Sequence, residues 1–246
     1  MSGFGAHSND TLASGLRAGL GPHYRLLTVD NRGSGQSPVA AGTTATIAEL
    51  ADDIAALLEQ NKMTPAHVLG ISMGGCIAMT LALRHPDKVR SLVSAVSLAG
   101  DDYPNRGGFL LETGREMQNR GVPLDLLNRY NAILVLGESV FKYEGLIDAW
   151  VSSPPDPLAM NQAGYELQKY ALEHYHIGDQ LAQITAPTLV ISSTEDVLVP
   201  PHYQEELAAK IPGAQLKRYP GGHVFMMLPL YAGAFVEDVL SFWGAH

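Results

Sequence analysis

The chain has one cysteine, Cys76, in 246 residues. An internal disulfide is therefore excluded, and a reducing compartment suits it. No stretch approaches the roughly 18 consecutive apolar residues of a membrane-spanning helix. The sequence does not open with the basic region and apolar stretch of a secretory signal either, so a cytoplasmic location is expected. Positive charge is scarce: 16 Lys and Arg against 25 Asp and Glu leave a formal net charge of −9. With no Lys/Arg-rich run, nucleic acid and anionic membranes are poor partners. There is no Walker loop and no G-x-G-x-x-G after a strand, so no nucleotide cofactor is implied. No metal is expected. Glu173, His174 and His176 read as a helix end, whereas two histidines two apart share a face only in a strand. Internal repeats and low-complexity segments are also lacking. What remains is an apolar composition, 46% hydrophobic and 17% charged, which suits a parallel sheet covered on both faces and one large core.

The most informative stretch present is Gly70-Ile71-Ser72-Met73-Gly74, between the apolar run His67-Val68-Leu69 and a helix-like Ala78 to Leu83. It reads as a nucleophile elbow, a sharp strand-to-helix turn with glycine two positions either side of a serine, where Cβ atoms would not fit. A serine hydroxyl attacks carbonyls near neutral pH only when a histidine takes its proton and a carboxylate orients that histidine. Both follow in the expected order. Residues 186–193 form a β-branched, strand-like run, and Thr194 to Pro200 follow as a loop holding Glu195 and Asp196. A helix-like Tyr203 to Ile211 and a strand-like Gln215 to Tyr219 then lead to Pro220-Gly221-Gly222-His223.

With these pieces, with Asp30-Asn31-Arg32-Gly33-Ser34-Gly35-Gln36-Ser37 and with Arg84 to Val89, the chain resembles the α/β-hydrolase family, in particular its small esterases, lactonases and carbon–carbon hydrolases. The resemblance implies a mostly parallel central sheet flanked by helices, with a helical cap inserted in it. It makes Ser72 the nucleophile, His223 the base and then the acid, and Asp196 the orienting carboxylate. Glu195 is the rival acid, with Asp101 and Asp102 behind it. The oxyanion donors implied are the N–H groups of Met73 and of Phe4, in a Ser2-Gly3-Phe4-Gly5 loop that resembles the family's small-residue loop. Relatives run through further strands before this loop. The first strands of the sheet are therefore expected to be missing here, through an upstream start, a shortened piece, or a naturally short protein that covers its sheet edge by association. The first is favoured, and a homodimer through the uncovered edge is the partner expected from the last.

Along the chain, Tyr24 to Val29, Val68 to Ile71 and Val89 to Leu98 read as strands. Thr46-Ile47-Ala48-Glu49 fits a capping box opening a helix that buries Ile47, Leu50, Ile54, Leu57 and Leu58. A last helix spans roughly Leu230 to Phe242. Between Gly100 and Thr185 the alternation stops in favour of short amphipathic helices broken at Pro154, Pro155 and Pro157. The division expected is a core of residues 1–99 and 186–246 with a cap of residues 100–185. Tyr103, Trp150 and Val197 are candidate substrate contacts, with Phe109 and Tyr165 behind them. The activity implied is cleavage of a small-molecule carboxylic ester or lactone through an acyl-enzyme. Thioesterase, carbon–carbon hydrolase and cofactor-free perhydrolase chemistry share the fold and triad, and a non-catalytic small-molecule receptor is the reading from another class.

Overall fold

The structure is a computed structural model that describes residues 1–100 and 106–246. In chain order the elements are α1 (Thr11–Leu20), α2 (Ile47–Gln60), β1 (Ala66–Ile71), α3 (Met73–Arg84) and β2 (Val89–Ala95). An insertion follows with α4 (Arg106–Asn119), α5 (Leu124–Val135), α6 (Glu144–Val151) and α7 (Gln162–Glu173). The chain then returns through β3 (Thr188–Ser193), α8 (Pro201–Lys210), β4 (Gln215–Tyr219) and α9 (Ala232–Gly244).

The strands form one parallel sheet in the order β1-β2-β3-β4. Parallel neighbours need crossovers, which α3, the helical insertion and α8 supply. Side chains alternate between the two faces, as a period of two requires. Leu92 and Val190 pack with α2, α3 and α8, while Val93, Leu189 and Ile191 pack with α1 and α9. Helix α3 is mostly apolar around its circumference because all of it up to Ala82 is buried, with Ile77, Ala78 and Met79 fully so.

Helix α2 begins as its sequence predicts. Thr46 Oγ1 accepts from Glu49 N at 3.2 Å, and the Glu49 carboxylate accepts from Thr46 N at 2.7 Å. Its wet face is used as well: Asp52 takes Arg84 and His85, and Asp53 takes Arg32 through two 2.6 Å bonds. Arg32 thus anchors to α2 instead of bracing its own turn. Asp30 braces the 30–37 loop, accepting from Ser8 N at 2.5 Å and Gln36 N at 2.8 Å, and within the loop Gly33 N donates to Ser37 O at 2.8 Å.

Two strand expectations change. Residues 24–29 form no strand, because an apolar cavity of about 390 Å³, lined by Leu26, Val29, Leu69 and Trp243, separates them from β1 and leaves them no backbone to pair with. On that edge of β1, Met1 N donates to Leu69 O at 2.6 Å and Ile71 N donates to Met1 O at 3.2 Å. Strand β2 stops at Ala95, short of Leu98, because the buried Val96 turns to φ 46°. This conformation is costly for a β-branched residue.

Thr46→Ala is expected to lower stability by about 1 kcal/mol and Ile77→Ala by about 2–5 kcal/mol, read from urea unfolding. The Asp30 carboxyl is held below its ordinary value: burial works against the charge, but hydrogen bonds from Gln36 and Ser8 outweigh it. A folded-state value below the unfolded one, about 4, stabilises above that pH and is lost as pH falls through the folded value. Melting curves of the wild type and Asp30→Asn should differ at pH 7 and converge toward pH 3.

Candidate active site

At the end of β1 the chain reverses into α3 within one residue. A carbon placed on Gly70 would lie 2.2 Å from Gly74 O, and one on Gly74 would lie 2.2 Å from Met1 O. Only glycine permits that crossing. Ser72 sits between them at φ 56°, ψ −124°, a sparsely populated conformation that costs about 1–3 kcal/mol and is held from outside. The hold is a bond from Ser72 N to Ala95 O at 2.9 Å, with Ser72 O accepting from Gly75 N at 2.8 Å. Met73 N–H is the first donor of α3, where no earlier carbonyl of the helix can take it. Cys76, one turn on, lies fully buried against Ser97 Oγ, and burial pushes its thiol up to about 11. It stays protonated near neutrality.

The expected acid and base, Asp196 and His223, come from the loops after β3 and β4. Asp196 Oδ1 accepts from Leu198 N and Val199 N, both at 2.9 Å, which leaves Oδ2 facing His223 Nδ1 at 2.7 Å. Both side chains are shielded, Asp196 completely. A carboxylate can only accept, so Nδ1 is the donor of this bond, and in the neutral imidazole the lone pair is on Nε2. The histidine loop is held at Gly221, whose carbonyl accepts from Glu195 N at 3.0 Å and from the Ser193 hydroxyl. Glu195 itself turns away from the histidine, and its carboxylate accepts from Ser139 N in the insertion at 2.8 Å.

Ser72, Met73, Phe4 and His223 open together on a cavity of about 250 Å³ whose remaining wall is mostly apolar. The Gly3 backbone lies against the nucleophile, since a carbon added there would be 3.2 Å from Ser72 Cβ and 3.7 Å from Ser72 Oγ. The insertion contributes Leu111, Val135, Leu172 and Tyr175. Among the described residues the lining holds no lysine or arginine, and Asp10 is its one carboxylate. Of the expected substrate contacts, Val197 is not in the lining, although its neighbours Leu198 and Val199 are. Trp150 packs beside Val140 and Leu228, outside the cavity. Phe109 is 69% exposed, and Tyr165 packs edge-on to Phe4 behind the wall. Tyr103, Asp101 and Asp102 lie outside the described residues. His7 meets Asp156 at 2.8 Å. No group of three or more His, Cys, Asp or Glu among the described residues is placed to hold a metal ion, and none of their helices is long and apolar enough to cross a membrane. Gln168 is the contact that sequence reasoning missed, while Glu195, expected as the rival acid, holds Ser139 instead. For Gln168 the signal was a polar residue on the apolar face of α7, three after Tyr165 and four before Leu172.

The family model described as alpha/beta hydrolase fold matches residues 2–229. The chain is 31% identical over 241 residues to the pimeloyl-[acyl-carrier protein] methyl ester esterase of Aeromonas salmonicida (strain A449), covering 95% of this chain and 88% of that protein. It is also 31% identical over 231 residues to a Caulobacter sp. (strain K31) protein assigned the name carbamate hydrolase RutD, covering 89% and 80%. Among solved structures, a hydrolase from Pseudomonas aeruginosa PA01 superposes with a TM-score of 0.81 at 27% identity, covering 99% of this chain and 88% of that one. Its parallel sheet, its elbow and a match over nearly the whole length make this chain a member of the α/β-hydrolase family.

Proposed function

We propose that the chain is a serine hydrolase that cleaves a small carboxylic ester or lactone through an acyl-enzyme. The observation that carries this reading is the 2.7 Å bond between Asp196 and His223 at the wall of the cavity onto which the strained Ser72 opens. His223 Nε2 removes the Ser72 proton as Oγ attacks the carbonyl carbon. The Met73 and Phe4 amides stabilise the oxyanion, and the proton passes to the leaving oxygen as the C–O bond breaks. Water, deprotonated by the same nitrogen, then releases the acid and restores Ser72. Asp196 holds the imidazole and stabilises its protonated form without taking the proton.

A cavity of about 250 Å³ with a mostly apolar wall and no basic residue favours a short, uncharged acyl group. A carboxylate on the acyl side would meet Asp10 and no cation. The same attack serves a carbamate carbonyl, which similarity to the Caulobacter protein makes the second substrate class to assay. The single, buried cysteine and the excess of acidic residues fit a cytosolic enzyme working as drawn, without a cofactor.

Hydrolysis of p-nitrophenyl butyrate should be lost by about 10⁴-fold or more in Ser72→Ala and in His223→Ala, and somewhat less in Asp196→Asn. Saturable binding of the ester by the wild type without turnover would reject the enzyme in favour of a receptor. Across p-nitrophenyl esters, kcat/KM should fall at least tenfold between butyrate and the similarly sized, anionic hemisuccinate.

A further inference from the structure

Loops of the core hold the acid and base, but the loop that carries Phe4 is held from the insertion. Gly5 N donates to Gln168 Oε1 at 2.8 Å, and Gln168 Nε2 donates to Arg32 O at 3.1 Å. Gln168 is fully buried although its two bonds are only part-buried, and no other side chain on α7 bridges these two backbone groups. The Phe4 ring stands edge-on to Tyr165 at 5.4 Å and 89°. The start of α7 rests directly on the 30–37 loop, where a carbon on Gly164 would lie 1.9 Å from Gly33 O. Within the loop, Ala6 N donates to Gly3 O at 3.2 Å. The peptide is planar and trans, so a Gly3 carbonyl turned toward Ala6 sends the Phe4 N–H the opposite way. The Gly5 bond fixes the following peptide plane. Together they leave Phe4 with neither adjoining plane free to rotate.

We propose that Gln168 is a positioning residue for the oxyanion loop. It aims the Phe4 N–H at the carbonyl bound to Ser72 and makes the helical insertion a contributor to the chemical step as well as to the cavity wall. This rests on the serine-hydrolase reading of Ser72. A glutamine suits the place because one side chain supplies an acceptor for Gly5 and a donor for Arg32. Leucine fills similar space and supplies neither.

The test compares the wild type, Gln168→Leu, Gln168→Glu and the control Lys169→Ala, whose side chain pairs with Glu112 on the outer side of α7. The measurements are kcat and KM for p-nitrophenyl butyrate, and inhibition by an alkyl trifluoromethyl ketone and by the matching methyl ketone. The first ketone adds Ser72 Oγ to form a tetrahedral oxyanion, and the second reports ground-state binding. Gln168→Leu should lower kcat about 10- to 100-fold with KM within about twofold, and weaken the trifluoromethyl ketone in parallel while sparing the methyl ketone. Gln168→Glu keeps the acceptor for Gly5 and should fall between the wild type and leucine. Lys169→Ala should match the wild type. A folded Gln168→Leu with unchanged kcat, or one that loses both ketones equally, overturns the proposal. Should leucine fail to fold, Gln168→Glu decides alone: an unchanged ratio of the two ketone affinities overturns it, and a lowered ratio supports it. Wild-type turnover that persists in Ser72→Ala removes the underlying reading and this proposal with it, whereas Ser72-dependent turnover indifferent to residue 168 removes only the proposal.

Discussion

The site depends on a crossing of backbone over backbone at Gly70 and Gly74. Neither position has room for a carbon, and because the two segments touch, β1 can turn into α3 with a single residue between them. That residue is Ser72, in a conformation that serine does not choose. The strain is of the order of 1–3 kcal/mol, and it is offset locally by the burial of α3. Fully burying one aliphatic side chain contributes about 1.5–3 kcal/mol, and Ile77, Met79 and Leu81 are all completely enclosed. The helix that follows Ser72 is therefore buried through Ala82 for a mechanical reason: it is the wedge that keeps the turn closed. A second turn at Val96 completes the arrangement, letting Ser97 pack against Gly75 while Ala95 O holds the serine amide.

The insertion is stitched to the core at the two places where the reaction needs rigidity. On one side, Glu195 reaches Ser139, and the Gly222 backbone packs so closely on Val135 O that an added carbon would lie 2.4 Å away. On the other side, Gln168 and Tyr165 brace the Gly3 to Gly5 loop. Neither contact is salt-dependent surface pairing of the kind that contributes little. The Gln168 side chain is fully buried, and the Gly222 approach is backbone on backbone.

Much of this was legible in the residue order, because the features concerned are local. The elbow needs only glycine at two fixed offsets, the capping box only Thr46 and Glu49, and the buried strand β3 only a β-branched run between turn residues. The acid and base were placed through family resemblance, and the choice of Asp196 over Glu195 agrees with which carboxylate faces His223. What escaped depended on contacts distant in sequence. Residues 24–29 have the composition of a strand, but a strand exists only with a neighbour, and a cavity lies where that neighbour would be. Trp150 and Val197 lie outside the cavity lining, because the direction each side chain takes is decided by packing. Gln168 contacts residues 163 and 136 positions away, a separation that no local pattern encodes.

The bonds converging on the Gly221 carbonyl have a consequence for motion. Ser193, at the end of β3, and Glu195, in the loop after it, both donate to it just ahead of Asp196, and His223 follows it two residues on. Acid and base are thereby fastened into one body. Ser72 belongs to another, seated on the far side of β2 and tied to Ala95. If the protein breathes between these bodies, the distance that varies is the one from nucleophile to imidazole, while the imidazole keeps its carboxylate and its tautomer throughout. On the proposed reading of Ser72 as nucleophile, the imidazole would stay oriented between turnovers, and a small approach of the two loops would be enough to engage it.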